Sequence, residues 1–117
     1  MSVDVKTKLV EGIVILQPLG NMLEAVDGEN LLNETHNYLG EYSKFILDCS
    51  EIKHLNSTGI NNILKVFTQI RNHGGEMILC AIPIQIEKLL IITKLNSIFS
   101  IFNTVDEGIS NLKIQDV

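Results

Sequence analysis

Apolar and polar positions change rhythm several times along this chain, and each change predicts an element. Val3 to Val10 alternates in part, with Val3, Val5 and Leu9 apolar, and Ile13-Val14-Ile15-Leu16 is a run rich in β-formers. Glu11-Gly12 between them reads as a tight turn, so the first two strands form an antiparallel hairpin. Pro18-Leu19-Gly20-Asn21 then breaks the pattern. From Glu24 to Leu39, the residues Val26, Leu31, Leu32, Thr35 and Leu39 suit one helical face, with Gly40 as the stop. Phe45-Ile46-Leu47 is short and continuously apolar, as expected of a strand covered on both faces. After Ser57, the positions Ile60, Ile63, Leu64, Phe67 and Ile70 are spaced by three and four. They describe an amphipathic helix that ends at His73-Gly74-Gly75. Glu76 to Ile82 reads as another buried strand and Ile84 to Leu95 as a short helix. Ile98 to Phe102 reads as an edge strand. Asp106 to Ile114 reads as a last helix, with Asp106 as its N-cap or first-turn acid.

Strands that alternate with helices imply an α/β fold: a small mixed, largely parallel sheet flanked by about four helices, with right-handed crossovers. The opening hairpin supplies an antiparallel edge. In such sheets function collects beyond the carboxyl ends of the strands. Two loops leave strands on that side, Pro18 to Leu23 and Cys49 to Asn56, and the second delivers Ser57 to the start of the best-patterned helix.

The 117 residues are one domain's worth, with no linker, repeat or low-complexity tract, so 1–117 is expected to be a single domain. A net charge of −5, with scattered Lys and Arg, argues against nucleic acid or an anionic membrane surface as partner. The longest apolar stretch, Met77 to Ile84, is interrupted by Pro83 and falls far short of the ~20 residues that span a bilayer. The N-terminal stretch lacks the pattern of a secretory signal, so the chain is expected in the cytoplasm, with Cys49 and Cys80 as reduced thiols.

Candidate chemistry is sparse. His36, His54 and His73 show no metal-ligand spacing with each other or with cysteine. Gly74-Gly75 has no Lys-Ser/Thr to complete a phosphate loop, and Leu55-Asn56-Ser57-Thr58-Gly59 is not a nucleophile elbow. Asp48 ends its strand where a receiver-domain phosphoacceptor would lie, but the acidic pair and the lysine that such a site needs are missing. Ser57 has two readings: a helix N-cap, or a modifiable hydroxyl at the positive end of a helix. Gly59 is a poor helix former, which points to a close approach by another backbone or a partner.

The run Asp48-Cys49-Ser50-Glu51-Ile52-Lys53-His54-Leu55-Asn56-Ser57-Thr58-Gly59 resembles the signature of STAS domains, in particular the bacterial anti-sigma factor antagonists. That signature reads Asp, a variable residue, Ser or Pro, aliphatic positions, then Asp/Asn-Ser-Ser/Thr-Gly. The resemblance continues through Gly74-Gly75-Glu76-Met77, Cys80, and Thr93-Lys94-Leu95 before Phe99. It implies that the unphosphorylated protein binds an anti-sigma factor serine kinase and so releases a sigma factor. Phosphorylation at Ser57 switches this off, and a PP2C-like, metal-dependent phosphatase resets it. It also implies no enzymatic activity and no cofactor, ATP belonging to the kinase. Thr58 is implied as a secondary phosphorylation site, and Asn21, Glu24, Asn56, Ser57, Thr58, Gly59 and Asn61 as the partner-binding set. Many relatives carry an acid just after the glycine of the second-strand loop; here Gly20-Asn21-Met22-Leu23-Glu24 puts the nearest one at Glu24. Asn56 stands where Asp is common, which removes a charge beside the serine. Two other functions compete. A STAS scaffold or regulatory subunit of a larger signalling assembly would self-assemble, whereas a free switch is expected to be a monomer. An enzyme or small-ligand carrier has no residues here to support it.

Overall fold

The computed structural model describes residues 2–114. β1 (Asp4–Val10) and β2 (Ile13–Met22) form the expected antiparallel hairpin. Glu11 (φ 51°) and Gly12 (φ 80°) both take the left-handed conformation that a two-residue hairpin turn requires. β2 is the organising strand. β3 (Lys44–Asp48) runs parallel to its first half and β4 (Ile52–Leu55) parallel to its last residues. β5 (Glu76–Cys80) joins β3, and β6 (Ile101–Phe102) joins β5, giving the order β1-β2-β3-β5-β6 with β4 on β2. Every pair except the hairpin is parallel, so the mixed, largely parallel sheet expected from the pattern is present.

The period of two along the strands divides the core. Val14, Leu16, Phe45, Leu47, Met77 and Leu79 face α1 (Glu29–His36), α2 (Ser57–Asn72) and α3 (Ile84–Ile92), whose Leu31, Ile60, Ile63, Val66, Ile70, Ile86 and Leu90 close over them. Ile13, Ile15, Ile46, Ile78 and Cys80 face the other way, against Ile109 and Leu112 of α4 (Val105–Ile114). Each such fully buried aliphatic contributes about 1.5–3 kcal/mol relative to exposure.

Several boundaries differ from the pattern reading. Pro18-Leu19-Gly20-Asn21 does not break β2. Gly20 N–H donates to Glu51 O at 3.0 Å, so the nitrogen of Pro18, two residues earlier, faces the same edge. There β2 has left β3, whose pairing ends at Leu16, and not yet met β4, so no ladder bond is lost. The segment from Cys49 to Asn56, read as a loop, contains β4. It is only four residues long and exposes Lys53 and His54, so its one buried anchor, Ile52, does not stand out.

The helix expected over Glu24 to Leu39 is shorter and divided. A 3-10 turn at Ala25–Gly28 precedes α1, which stops at His36. Gly28 sits tight under Asn62, where a Cβ would come within 2.6 Å of that side chain, and this contact fixes the bend. Gly40 (φ 91°) belongs to the following turn rather than to the helix end. β5 stops at Cys80 because Ala81 turns to φ 57°, and α3 stops at Ile92. The last strand is reduced to Ile101–Phe102. Phe99 before it is buried edge-on to Phe67, with ring centroids 5.0 Å apart. At α4, Thr104 Oγ1 accepts the Glu107 N–H at 3.1 Å, so Thr104 is the cap and Asp106 the first-turn acid.

Candidate functional site

The start of α2 is built from the strand that precedes it. Asn56 leaves β4 extended (φ −126°, ψ −168°), and its Oδ1 accepts the Gly59 N–H at 3.0 Å. Asn56 is therefore the N-cap, and the capping reading of Ser57 is corrected: Ser57 is the first helical residue. Asn56 Nδ2 also reaches across to donate to the Leu23 carbonyl at 3.1 Å. A turn and a half along the helix, Asn62 Nδ2 donates to the Glu24 carbonyl at 3.0 Å. Two asparagines of one helix thus hold the segment that follows β2.

That segment is tied from its other side by Asp27. Its Oδ2 accepts the N–H groups of Leu23 and Glu24, both at 2.9 Å. These two amides, that of Glu24 foremost, hold the Asp27 carboxyl below the usual carboxylate range. Gly59 is buried at the junction, because a Cβ there would fall on the Met22 carbonyl oxygen. The close approach expected at this glycine is real, and the approaching backbone is that of β2.

Against this braced base Ser57 is exposed, and no hydrogen bond to its hydroxyl is found among the described residues. It stands beside first-turn amides that have no intrahelical acceptor, at the positive end of a 16-residue helix. Thr58 is half-buried. With Asn61 it lines a groove of about 650 Å³ that runs along α2 past Ala25, Leu32 and Lys65. Asn21 is exposed on β2, in register with His54 just after a bulge at Gly20, and Glu24 is exposed at the end of the pinned segment. The predicted residues Asn21, Glu24, Asn56, Ser57, Thr58, Gly59 and Asn61 therefore gather on one rim, with Gly59 inside it rather than on its surface. Asn62 and Asp27 were not anticipated. Asn62 had a signal, as the lone amide in an otherwise apolar buried stripe with Ile60, Ile63 and Val66.

The signature residues before α2 have structural duties. Asp48 Oδ1 accepts the Ser50 N–H at 3.1 Å, and its Oδ2 accepts from Gln17 Nε2 at 3.0 Å, closing the turn between β3 and β4. Burial pushes the Cys80 thiol up to about 12 and raises Cys49 further, which makes both packing residues rather than nucleophiles. Among the described residues, no cluster of three His, Cys, Asp or Glu could hold a metal, and no helix is long and apolar enough to cross a membrane. His36 pairs with Gln69 at 2.7 Å and His73 with the Gln69 carbonyl at 2.9 Å, both away from Ser57.

A mixed sheet whose second-strand loop is stapled to a helix that opens on an exposed serine defines the class. The chain belongs to the STAS domain family, whose model matches residues 4–108. Among its relatives is a candidate anti-sigma factor antagonist of Thermotoga neapolitana, 26% identical over 109 residues, which are 91% of this chain and 95% of that protein. The crystal structure of the corresponding Thermotoga maritima protein superposes with a TM-score of 0.81 at 24% identity, over 93% of this chain and 94% of that one. The Bacillus cell fate determinant SpoIIAA, solved in its phosphorylated form, shares the fold with a TM-score of 0.71 at 14% identity, over 93% and 99% of the two chains. STAS antagonists are a regulatory family rather than a class of enzymes.

Proposed function

We propose that this chain is a cytoplasmic anti-sigma factor antagonist. Its unphosphorylated form binds an anti-sigma factor serine kinase and thereby frees a sigma factor, and phosphorylation of Ser57 ends that binding. A PP2C-like phosphatase restores the binding form, and the chain itself performs no chemistry. One observation carries the reading: Ser57 is exposed at the first position of α2 while Asn56 does the capping, so its hydroxyl is free for transfer.

The physics fits a switch. A phosphate on Ser57 adds about −1.5 to −2 charge beside the helix N-terminus, where the dipole and open amides tolerate it, so the domain keeps its fold. Against a docked partner the same charge, desolvated and unpaired, costs several kcal/mol, enough to move affinity by orders of magnitude. Thr58, half-buried in the groove wall, is the secondary acceptor.

The test uses the full chain and a purified cognate kinase. Incubation with ATP should place phosphate on Ser57 by mass spectrometry. Ser57→Ala should bind the kinase constitutively and Ser57→Asp should bind poorly. Equal binding by the two variants, or phosphate found only elsewhere, would overturn the reading.

A further inference from the structure

α3 exposes isoleucines as well as burying them. Ile86 and Leu90 are buried in the core, yet Ile84 is 64% exposed, Ile91 54% and Ile92 77%, and Ile98 just beyond the helix is 47% exposed. Exposed isoleucines grouped on one helix face and rimmed by polar side chains mark an interaction surface. The outer face also carries Gln85 and two charges, Glu87 and Lys88, and no ion pair to either charge is found among the described residues. Adjacent residues on a helix do not face each other, so these two cannot satisfy one another.

The spacing identifies the occupant. Ile84, Glu87, Lys88 and Ile91 lie at i, i+3, i+4 and i+7, a single stripe that is its own complement when read backwards. Lay a second α3 antiparallel across the first, with a two-fold axis between Glu87 and Lys88. Ile84 then meets Ile91 of the other copy, and Glu87 meets Lys88, each twice. An isologous interface demands this self-matching, whereas an unrelated partner would not.

We infer that the α3 face is a homodimer contact, formed by antiparallel pairing of α3 with its counterpart in a second copy. The patch is small, so the association is weak and concentration-dependent. It replaces the monomer expected for a free switch with a monomer–dimer equilibrium. It does not depend on Ser57, which lies on a different helix.

The experiment is sedimentation velocity on the full chain from micromolar to millimolar concentration. Wild type should shift from monomer to dimer. Glu87→Lys and Lys88→Glu each place like charges opposite one another at both symmetry-related contacts, and each should weaken self-association about tenfold or more. Both residues are exposed, so circular dichroism should show unchanged folding. An equimolar mixture of the two variants places Lys against Glu at both contacts and should dimerise again, as should the doubly swapped Glu87→Lys/Lys88→Glu chain. A wild type that stays monomeric throughout, single variants that associate as well as wild type, or a mixture that fails to recover would each overturn the pairing. Ser57→Asp should dimerise like wild type, which separates this result from the kinase-binding test.

Discussion

Gly59 of α2 lies so close to the carbonyl oxygen of Met22 that no side chain fits between them. A β-carbon built on Gly59 would overlap that oxygen and lie 3.0 Å from Leu55 Cγ. The obstacle is backbone, which cannot swing aside as a flexible side chain can. Gly59→Ala gains about 1 kcal/mol in helix propensity but forces α2 and β2 apart. We expect a net loss of about 2 kcal/mol or more, read as a lower urea midpoint with unchanged slope. A variant as stable as wild type would show that the junction is looser than described.

Asn56 uses both ends of its amide, Oδ1 for the helix start and Nδ2 for the Leu23 carbonyl. Asn56→Ala removes both and should cost about 1–2 kcal/mol. Asn56→Asp keeps an acceptor for the Gly59 N–H, in a place where the helix dipole favours negative charge, but has no donor for Leu23. Hydrogen exchange separates the two: the Gly59 amide should stay protected in the Asp variant and exchange faster in the Ala variant. Equal exchange in both would remove Asn56 from the role of cap.

Asp27 makes the pinned segment sensitive to acid. Its pKa is held below its ordinary value of 3.8 by the Glu24 and Leu23 amides. A carboxylate depressed in the folded state adds stability that is fully present above its unfolded value. That stability is lost as pH falls through the lower, folded value. Carbon-detected NMR of the Asp27 carboxyl should titrate with a midpoint below 3.8. The Leu23 and Glu24 amide shifts should move with it, and Asp27→Asn should abolish that movement. A midpoint at or above 3.8 would mean that the two amides do not hold the charge.

The parts of this fold that depend on periodicity were legible in the residues. Phe45-Ile46-Leu47 and the stripe from Ile60 to Ile70 announce a covered strand and the helix that covers it. What escaped depends on contacts between distant segments. β4 is visible only once β2 is known to continue past Pro18, and Pro18 is tolerated only because the gap between β3 and β4 falls opposite its nitrogen. The rim around Ser57 was legible from its signature, but the means of bracing it were not. Asn56 and Asn62 act on Leu23 and Glu24 across separations of 33 and 38 positions, which no local pattern records. Asp27 reaches the same two residues from four and three positions away, a local capping contact that the apolar periodicity does not mark. Ser57 itself could be read as a cap until the side chain of Asn56 was seen to occupy that role.

On the far face of the sheet, α4 rests on a second close contact. A β-carbon on Gly108 of α4 would come within 2.5 Å of Cys80 Sγ and 3.0 Å of Ile78 Cδ1. The glycine lets the α4 backbone settle onto β5, and it is kept despite costing a helix interior about 0.5–1 kcal/mol relative to alanine. Gly108→Ala should therefore lift α4 and cost about 1–3 kcal/mol. Cys80→Ala deletes the sulfur and leaves a small void in the core that packs under α4. In the double variant the new methyl enters the vacated space, so the two losses should not add. A double-mutant cycle by urea unfolding should give a coupling of about 1 kcal/mol or more in favour of the pair, within the range for residues in contact. Strict additivity would mean that the backbone of α4 shifts as a whole to admit the methyl, and that Cys80 does not set its height above the sheet.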